Sequence, residues 1–151
     1  MDVGYKNDNE NFSLRAAALI IHDNKLLLAK SDNYECYYTV GGGIHQNELS
    51  SEAVIRECYE ETGYHLEIDR LVFVQERFFS LGNINYHEVV FFYLMKDMTF
   101  EICNGLNTDQ KSEHLYWIPI ETLENINLVP SFLKTAMKKI PDEVTQIISY
   151  E

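Results

Sequence analysis

The distribution of apolar and polar residues in the first third of the chain predicts three β-strands. An Ala/Leu/Ile-rich run at residues 14–21 predicts a buried strand, and residues 25–29 predict the strand that returns after a turn at residues 22–24. Residues 36–40 are rich in aromatic and β-forming side chains, which favours a short third strand. The triple glycine at residues 41–43 ends this strand, because glycine lets the backbone turn sharply.

The clearest helix pattern covers residues 49–62. Ser50 or Ser51 can cap its start, and Gly63 stands where a glycine commonly ends a helix. Apolar and small side chains recur on one side at helical spacing: Val54, Ile55, Cys58 and Thr62. This segment is therefore predicted to pack one face against the strands.

The rest of the chain alternates strand-like and helix-like segments. Predicted strands cover residues 66–79, 86–95 and 116–118, the first two joined by a Gly82-Asn83 turn, and predicted helices cover residues 120–124 and 131–139. This mixture predicts an α/β (α+β) fold with a sheet flanked by helices on both faces. Residues 1–12 are polar and predict a loose leader, so that residues 13–151 form a single domain.

Composition and charge narrow the function classes. The formal net charge is −12, and the basic residues are scattered, so a nucleic-acid polymer is not expected as a partner. No apolar run approaches the roughly 20 residues of a membrane span. Residues 1–8 lack the features of a secretion signal, and the three cysteines do not form a disulfide or zinc pattern, so we expect a cytoplasmic protein.

Three glutamates in the predicted helix indicate a metal site. Glu57, Glu60 and Glu61 stand at i, i+3 and i+4, so they share an arc of one helix face. Such a face is by itself most often solvated surface. The preceding glycines change this interpretation, because they allow close backbone approach and offer carbonyl oxygens. Carboxylates together with a carbonyl form the oxygen-rich site that Mg²⁺ or Mn²⁺ prefers.

Residues 42–64 resemble the signature of the Nudix hydrolases, G-x5-E-x7-R-E-U-x-E-E-x-G-U, where U is a bulky apolar residue. Gly42 is followed after five residues by Glu48, and seven residues later by Arg56-Glu57-Cys58-Tyr59-Glu60-Glu61-Thr62-Gly63-Tyr64. Every fixed position matches. The departures are mild: Cys58 and Tyr64 replace the usual aliphatic residues, and Val40, His45 and Asn47 stand where many members have proline, glutamate and glycine.

The resemblance implies an α/β/α sandwich with a mixed sheet that hydrolyses a nucleoside diphosphate linked to another group. By analogy, Glu57 and Glu61 bind Mg²⁺ (or Mn²⁺), Glu60 binds metal or activates water, and the Gly42 carbonyl adds a ligand. The substrate-contact candidates are Gly41, Gly42, Gly43 and Arg56, although Arg56 is favoured more as a partner of Glu48 that orients the carboxylates. The expected partner is a small phosphorylated nucleotide. Family members are often dimers, which leaves a homodimer open.

Residues outside the signature are candidates for further roles. Glu113 is the main candidate for a general base, with an exposed loop charge as the competing interpretation, and Glu76 and Glu88 are further acidic candidates on strands. Four aromatic residues are candidates to stack on a base, although aromatic residues on strands belong more often to the core: Phe78, Phe79, Tyr86 and Trp117. His87 and His114 are interpreted as surface or hydrogen-bonding histidines, because no second histidine stands at metal-ligand spacing.

The substrate is not determined by the sequence. Members that cleave ADP-ribose usually carry a proline some way after the signature, and this chain has none between Tyr64 and Ile118. A nucleotide-sanitising role or an unclassified substrate remains. Two other function classes compete: a module that senses a nucleotide without cutting it, and a structural protein with a solvated acidic helix. The complete set of signature carboxylates argues against both.

Overall fold

The computed structural model describes residues 1–108 and 112–151, and the main feature of this part of the chain is one mixed β-sheet. Its strands are β1 Gly4–Lys6, β2 Glu10–Leu19, β3 Ile21–His22, β4 Lys25–Ser31, β5 Tyr37–Gly43, β6 Ile68–Leu81, β7 Ile84–Met95, β8 Leu106–Asn107, β9 Glu113–Pro119, β10 Leu128–Val129 and β11 Thr145–Tyr150. The main path runs β11-β6-β7-β2-β5-β4-β9-β8, with β1 on β2, β3 on β4 and β10 on β5. β2 and β7 pair in parallel, whereas β2 and β5 pair antiparallel.

Helices cover both faces of this sheet. Helix α1 (Ser50–Thr62) packs on one face, against a buried cluster that includes Ala18, Val40 and Val54. On the other face lie a 3₁₀ helix (Ile120–Asn125) and the short helix α2 (Leu133–Ala136), which contribute Leu123 and Leu133 to a second buried cluster. Two apolar layers therefore enclose the sheet, and the predicted α/β/α arrangement with a mixed sheet is confirmed.

Helix α1 begins and ends by different means. Leu49 occupies the N-cap position, and its backbone N–H donates to Glu52 Oε2 over 3.0 Å, so the predicted serine cap is wrong. The Ser50 hydroxyl instead lies 2.6 Å from the Tyr93 hydroxyl, which ties the first turn to β7. Gly63 ends the helix as predicted, with a φ of +80° and its N–H bonded to the Tyr59 carbonyl.

Several other segments differ from the expectation. Residues 1–12 are not a loose leader, because β1 pairs with β2 in the register Gly4↔Ser13, Tyr5↔Phe12 and Lys6↔Asn11. The predicted helix at residues 131–139 shortens to α2, and the C-terminal strand β11 had no prediction. Polar strands at a sheet edge take their hydrogen bonds from a distant partner, and such pairing leaves little local signal. The single domain spanning residues 13–151 stays a prediction.

Among the described residues, no helix combines the length and the apolar character that crossing a membrane would require.

The core between the sheet and α2 yields a stability prediction. Leu28 is fully buried in β4, whereas Ile148 is 56% exposed on β11. Leu28→Ala removes buried methyl groups and leaves a cavity, so we expect the free energy of unfolding to fall by about 2–5 kcal/mol. Ile148→Ala is the matched control, with an expected change below about 1 kcal/mol. Chemical denaturation measures both, and equal losses would contradict the assigned burial.

Candidate functional site

The triple glycine brings strand β5 into contact with the acidic face of α1. The backbone N–H of Gly41 donates to Glu61 Oε2 over 2.9 Å. A Cβ atom added to Gly42 would collide with the Glu57 carboxylate, so that carboxylate lies directly against the Gly42 backbone. On its other side, Gly41 is held so close to the Ala16 carbonyl of β2 that a side chain would not fit. Glycine is therefore required here for close approach.

The three glutamates do not share one environment. Glu57 and Glu61 are buried, with 7% and 5% of their surface exposed, whereas the Glu60 side chain is 49% exposed. Residues four positions apart in a helix lie about 40° apart, so Glu57 and Glu61 both face the sheet. Glu60 lies about 100° from Glu61 and projects toward solvent. The predicted acidic arc is thus divided into a buried pair and an exposed neighbour.

Arg56 connects the loop, the strand end and the helix. Its guanidinium donates to both oxygens of Glu48, over 2.8 and 3.0 Å, and to the Gly43 carbonyl over 2.9 Å. It also donates to Glu57 Oε1 over 2.8 Å and lies 3.3 Å from Glu60. The predicted Arg56–Glu48 pair is confirmed. Because all three guanidinium nitrogens already donate to protein oxygens, the geometry favours an orienting role over a substrate contact.

The buried carboxyl groups resist ionisation. Burial raises the pKa of Glu61 to about 9, and the negative charges of Glu113 and Glu57 add to the increase. Burial also raises the pKa of Glu57, although Arg56 and, more weakly, Arg15 oppose this shift. When both groups are ionised, the pair therefore carries more negative charge than Arg56 compensates, and a bound cation would neutralise the excess.

Glu113 lies beside this pair, as expected of a candidate base. It stands at the start of β9, it is only 7% exposed, and its charge acts directly on Glu61. The Tyr38 hydroxyl donates to Glu113 Oε2 over 2.5 Å, and a side-chain hydrogen bond with Glu113 contributes to the raised pKa of Glu61. The sheet therefore brings together acidic groups that are about fifty residues apart in sequence.

The acidic side chains are not arranged around a common centre. In the described part of the chain, no group of three or more His, Cys, Asp or Glu side chains is positioned to hold a metal ion. The reason lies in the contacts above, because Glu57 is directed toward Arg56, Glu61 toward the Gly41 amide and Glu60 toward solvent. The predicted ligands Glu57, Glu60, Glu61 and Gly42 are neighbours, and their role as ligands stays a prediction.

A cleft of about 450 Å³ opens on the sheet face opposite α1 and reaches Gly41 and Gly42. Its polar lining includes Arg15, Gln75 and Arg77, none of which the sequence analysis selected. The available signal was a cation or amide inside an otherwise apolar strand, as at Leu14-Arg15-Ala16. The alternation of polar and apolar residues along the strands does not by itself show which face of each strand lies toward a ligand.

The remaining candidates lie elsewhere or have other partners. Glu88 lines the cleft but forms an ion pair with Arg77 over 3.3 Å, and Glu76 is not part of the lining. Trp117 Nε1 donates to the Ile102 carbonyl and the ring packs against the core. Phe78, Phe79 and Tyr86 border a separate surface depression, where Phe79 and Tyr86 stack with centroids 4.6 Å apart. His87 is exposed and His114 is half-buried.

Comparison with known proteins identifies the relatives of this chain. The profile described as NUDIX domain matches residues 12–140, which confirms the resemblance found at residues 42–64. The human diphosphoinositol polyphosphate phosphohydrolase NUDT4B is 35% identical over 74 residues, a match that spans 46% of this chain and 41% of the human protein. The chain therefore matches less than half the length of this relative.

Solved structures agree on the fold. The mutator MutT protein from Bacillus halodurans superposes with a TM-score of 0.72 at 15% identity, covering 91% of this chain and 90% of that one. The ORF135 protein of E. coli gives a TM-score of 0.60 at 23% identity, covering 84% and 89%. At such identities the likeness establishes the architecture.

The Arg56–Glu48 pair yields a pH-dependent prediction. The hydrogen bonds from Arg56 lower the pKa of Glu48 from its ordinary 4.5 to about 2. A carboxyl group with a lowered folded-state pKa stabilises the fold above pH 4.5, and this contribution is lost as the pH falls toward 2. Glu48→Gln should therefore lower the free energy of unfolding at neutral pH by about 1–3 kcal/mol, and the difference from wild type should shrink in acid.

Denaturation of both proteins between neutral pH and about pH 3 measures this difference. Glu67→Gln is the control, because Glu67 forms an exposed pair with Lys96 at 3.4 Å, and such pairs contribute less than about 1 kcal/mol. A wild-type advantage over Glu48→Gln that does not change with pH would contradict the assignment.

Proposed function

The chain belongs to the NUDIX domain family, and from this membership we propose that it is a divalent-metal-dependent pyrophosphohydrolase. The proposed substrate is a nucleoside diphosphate derivative or a nucleoside triphosphate, cleaved at its diphosphate bond. The observation that supports this most directly is the placement of two buried carboxylates, Glu57 and Glu61, against the backbone of Gly41 and Gly42. Burying such a pair is unfavourable unless the charge is compensated.

The residues present fit a hard divalent cation. Glu57 and Glu61 are the proposed carboxylate ligands, Glu60 on the same helix is a third proposed ligand, and the Gly42 carbonyl is the proposed backbone ligand. All of these donors are oxygens, which suits Mg²⁺, with Mn²⁺ as a substitute. The raised pKa values of Glu57 and Glu61, caused first by burial, mark a place where positive charge would be stabilising. When bound, such a cation would offset phosphate charge and make a water molecule more acidic.

The protein side chains then have distinct roles. Arg56 holds Glu57 in place and fixes the loop through Glu48, so the ligands keep their geometry. Glu113 is the proposed general base, because it lies beside Glu61 and Tyr38 anchors one of its oxygens. Glu60, which is half-exposed, is an alternative acceptor for the proton of the attacking water.

A nucleotide suits the charge distribution better than a more highly phosphorylated substrate. The human relative is named for diphosphoinositol polyphosphates, whose many phosphates would require a broad basic surface. This chain carries a net charge of −12, and of the two arginines that line the cleft, Arg77 is already paired with Glu88 and Glu151. A non-catalytic nucleotide sensor remains the alternative, although every signature carboxylate is present. The cytoplasmic location and the homodimer stay predictions.

Activity measurements test the proposal. With Mg²⁺ we expect cleavage of at least one member of a panel of nucleoside triphosphates, nucleotide sugars, ADP-ribose and dinucleoside polyphosphates, measured as formation of the phosphorylated products. Glu60→Gln or Glu61→Gln should lower turnover by roughly 10²–10³, equivalent to about 3–4 kcal/mol of transition-state stabilisation. Glu121→Gln is the control, because this exposed carboxylate lies on the 3₁₀ helix at the other face of the sheet. Equal rates for the variants and wild type at saturating Mg²⁺ would refute the assignment.

Melting temperatures separate a catalytic role from a structural one. The glutamine side chain is neutral, as the buried Glu61 carboxyl group is below its raised pKa, so metal-free Glu61→Gln should melt no lower than metal-free wild type. Mg²⁺ should raise the melting temperature of wild type more than that of the variant. A ligand stabilises the native state according to how tightly it binds there, and the variant lacks one of the proposed metal ligands. A large loss of stability in the metal-free variant would indicate that Glu61 is structural.

A further inference from the structure

Gln75 is a buried polar residue in the floor of the cleft. It lies in the middle of β6, it is 0% exposed, and its Nε2 donates to Ser149 Oγ over 3.1 Å. Its Oε1 is also buried and has no hydrogen-bond partner within residues 1–108 and 112–151. Buried acceptors are almost always paired in native proteins, because leaving one unsatisfied is unfavourable. An unpaired acceptor that lines a cleft is therefore a position where a ligand can supply the missing donor.

The neighbours of Gln75 define what kind of ligand would fit. Across the sheet, Gln75 pairs with Val90 of β7, and Val90 pairs with Arg15 of β2. Because adjacent strands lie about 4.8 Å apart, the backbones of Gln75 and Arg15 are separated by about 10 Å. Arg15 is close enough to Glu57 to interact with its charge. The cleft thus has a cation at the end near the glutamates, an apolar middle and a hydrogen-bond acceptor at the far end.

We propose that Gln75 is a specificity-determining residue that accepts a hydrogen bond through Oε1 from an N–H or amino group of a nucleobase. The base would lie over Val90, and its phosphates would extend past Arg15 toward Gly41 and Gly42. A nucleotide supplies the required parts in the required order: an N–H donor, a flat apolar ring and an anionic tail. The inference rests on the proposed function in taking the ligand to be a nucleotide.

The C-terminal strand fixes the orientation of this amide. Ser149 lies in β11, which pairs in parallel with β6 from Thr145↔Phe73 to Tyr150↔Phe78. β11 lies beyond residues 12–140, the part that the family profile matches. Because Ser149 engages Nε2, the oxygen is the amide atom left without a partner in the described part of the chain. Glu151 anchors Arg77 in the same way, over 2.7 Å. Base selection in this chain thus depends on a segment outside the family match.

Binding constants for a matched set of nucleotides test the role of Gln75. The probes are AMP, GMP, CMP and UMP, compared by calorimetry with purine riboside 5′-monophosphate, whose base carries neither an N–H nor an amino group. Wild type should bind at least one of the four about tenfold more tightly than purine riboside monophosphate, which is the effect of one hydrogen bond. Gln75→Met, which keeps the side-chain length without polar atoms, should reduce that ratio to about one.

Two further variants complete the test. Gln146→Met makes the same change at an exposed position of β11 outside the cleft, and it should keep the wild-type ratio. Ser149→Ala keeps Gln75 but removes the hydrogen bond that orients its amide, so the preference over purine riboside monophosphate should fall severalfold. If Gln75→Met does not fold, this variant tests the inference in its place.

The outcomes separate this inference from the proposed hydrolase activity. The inference is overturned if wild type shows no preference over purine riboside monophosphate, if it binds none of the probes, or if Gln75→Met keeps the preference while folded. Hydrolysis of nucleoside triphosphates together with a base preference that Gln75→Met leaves unchanged would refute the inference alone. A base preference that depends on Gln75 without any hydrolysis would support the inference and refute the enzyme.

Discussion

The hydrogen bonds of the Arg56 guanidinium are the interaction on which the rest of the site depends. One planar cation joins the loop through Glu48, the end of β5 through the Gly43 carbonyl and helix α1 through Glu57. Each hydrogen bond restricts the geometry of the others, because the N–H donors of a planar guanidinium point in fixed directions. The pair with Glu48 lowers the pKa of that carboxyl group, so the loop stays anchored at any pH near neutrality. The acidic face of the helix is thereby held against the glycines.

The glycine strand separates two environments that have different tasks. Gly41 and Gly42 contact Glu61 and Glu57 on the helix side and line the cleft on the other side. With no side chain in between, only the backbone of this strand separates the cleft from the carboxylates. The proposed chemistry therefore belongs to the helix side, and the proposed recognition belongs to the opposite face of the sheet. This division explains why, apart from Gly42, the cleft residues are absent from the signature.

Charge determines how these environments work together. A chain with a net charge of −12 that buries Glu57 and Glu61 next to Glu113 repels a phosphorylated ligand unless positive charge offsets the carboxylates. The raised pKa of Glu61, which burial causes first, reflects how unfavourable it is to ionise that carboxyl group there. Arg15 supplies one permanent positive charge near the glutamates, whereas Arg77 is already neutralised by Glu88 and Glu151. The proposed metal would supply the rest.

Spacing along the chain determined the family, helix α1 and the identity of the acidic signature, because those features are local and repeat at helical intervals. The Arg56–Glu48 pair and the Gly63 cap were predictable for the same reason. Only the tertiary structure decided that Glu57 and Glu61 are buried while Glu60 is exposed, and that Tyr38 and Glu113 lie beside them. It also decided the pairing of β1 and β11 and the position of Gln75 in the cleft. These properties depend on which strands become neighbours in the sheet, and strand pairing joins residues that are far apart in sequence.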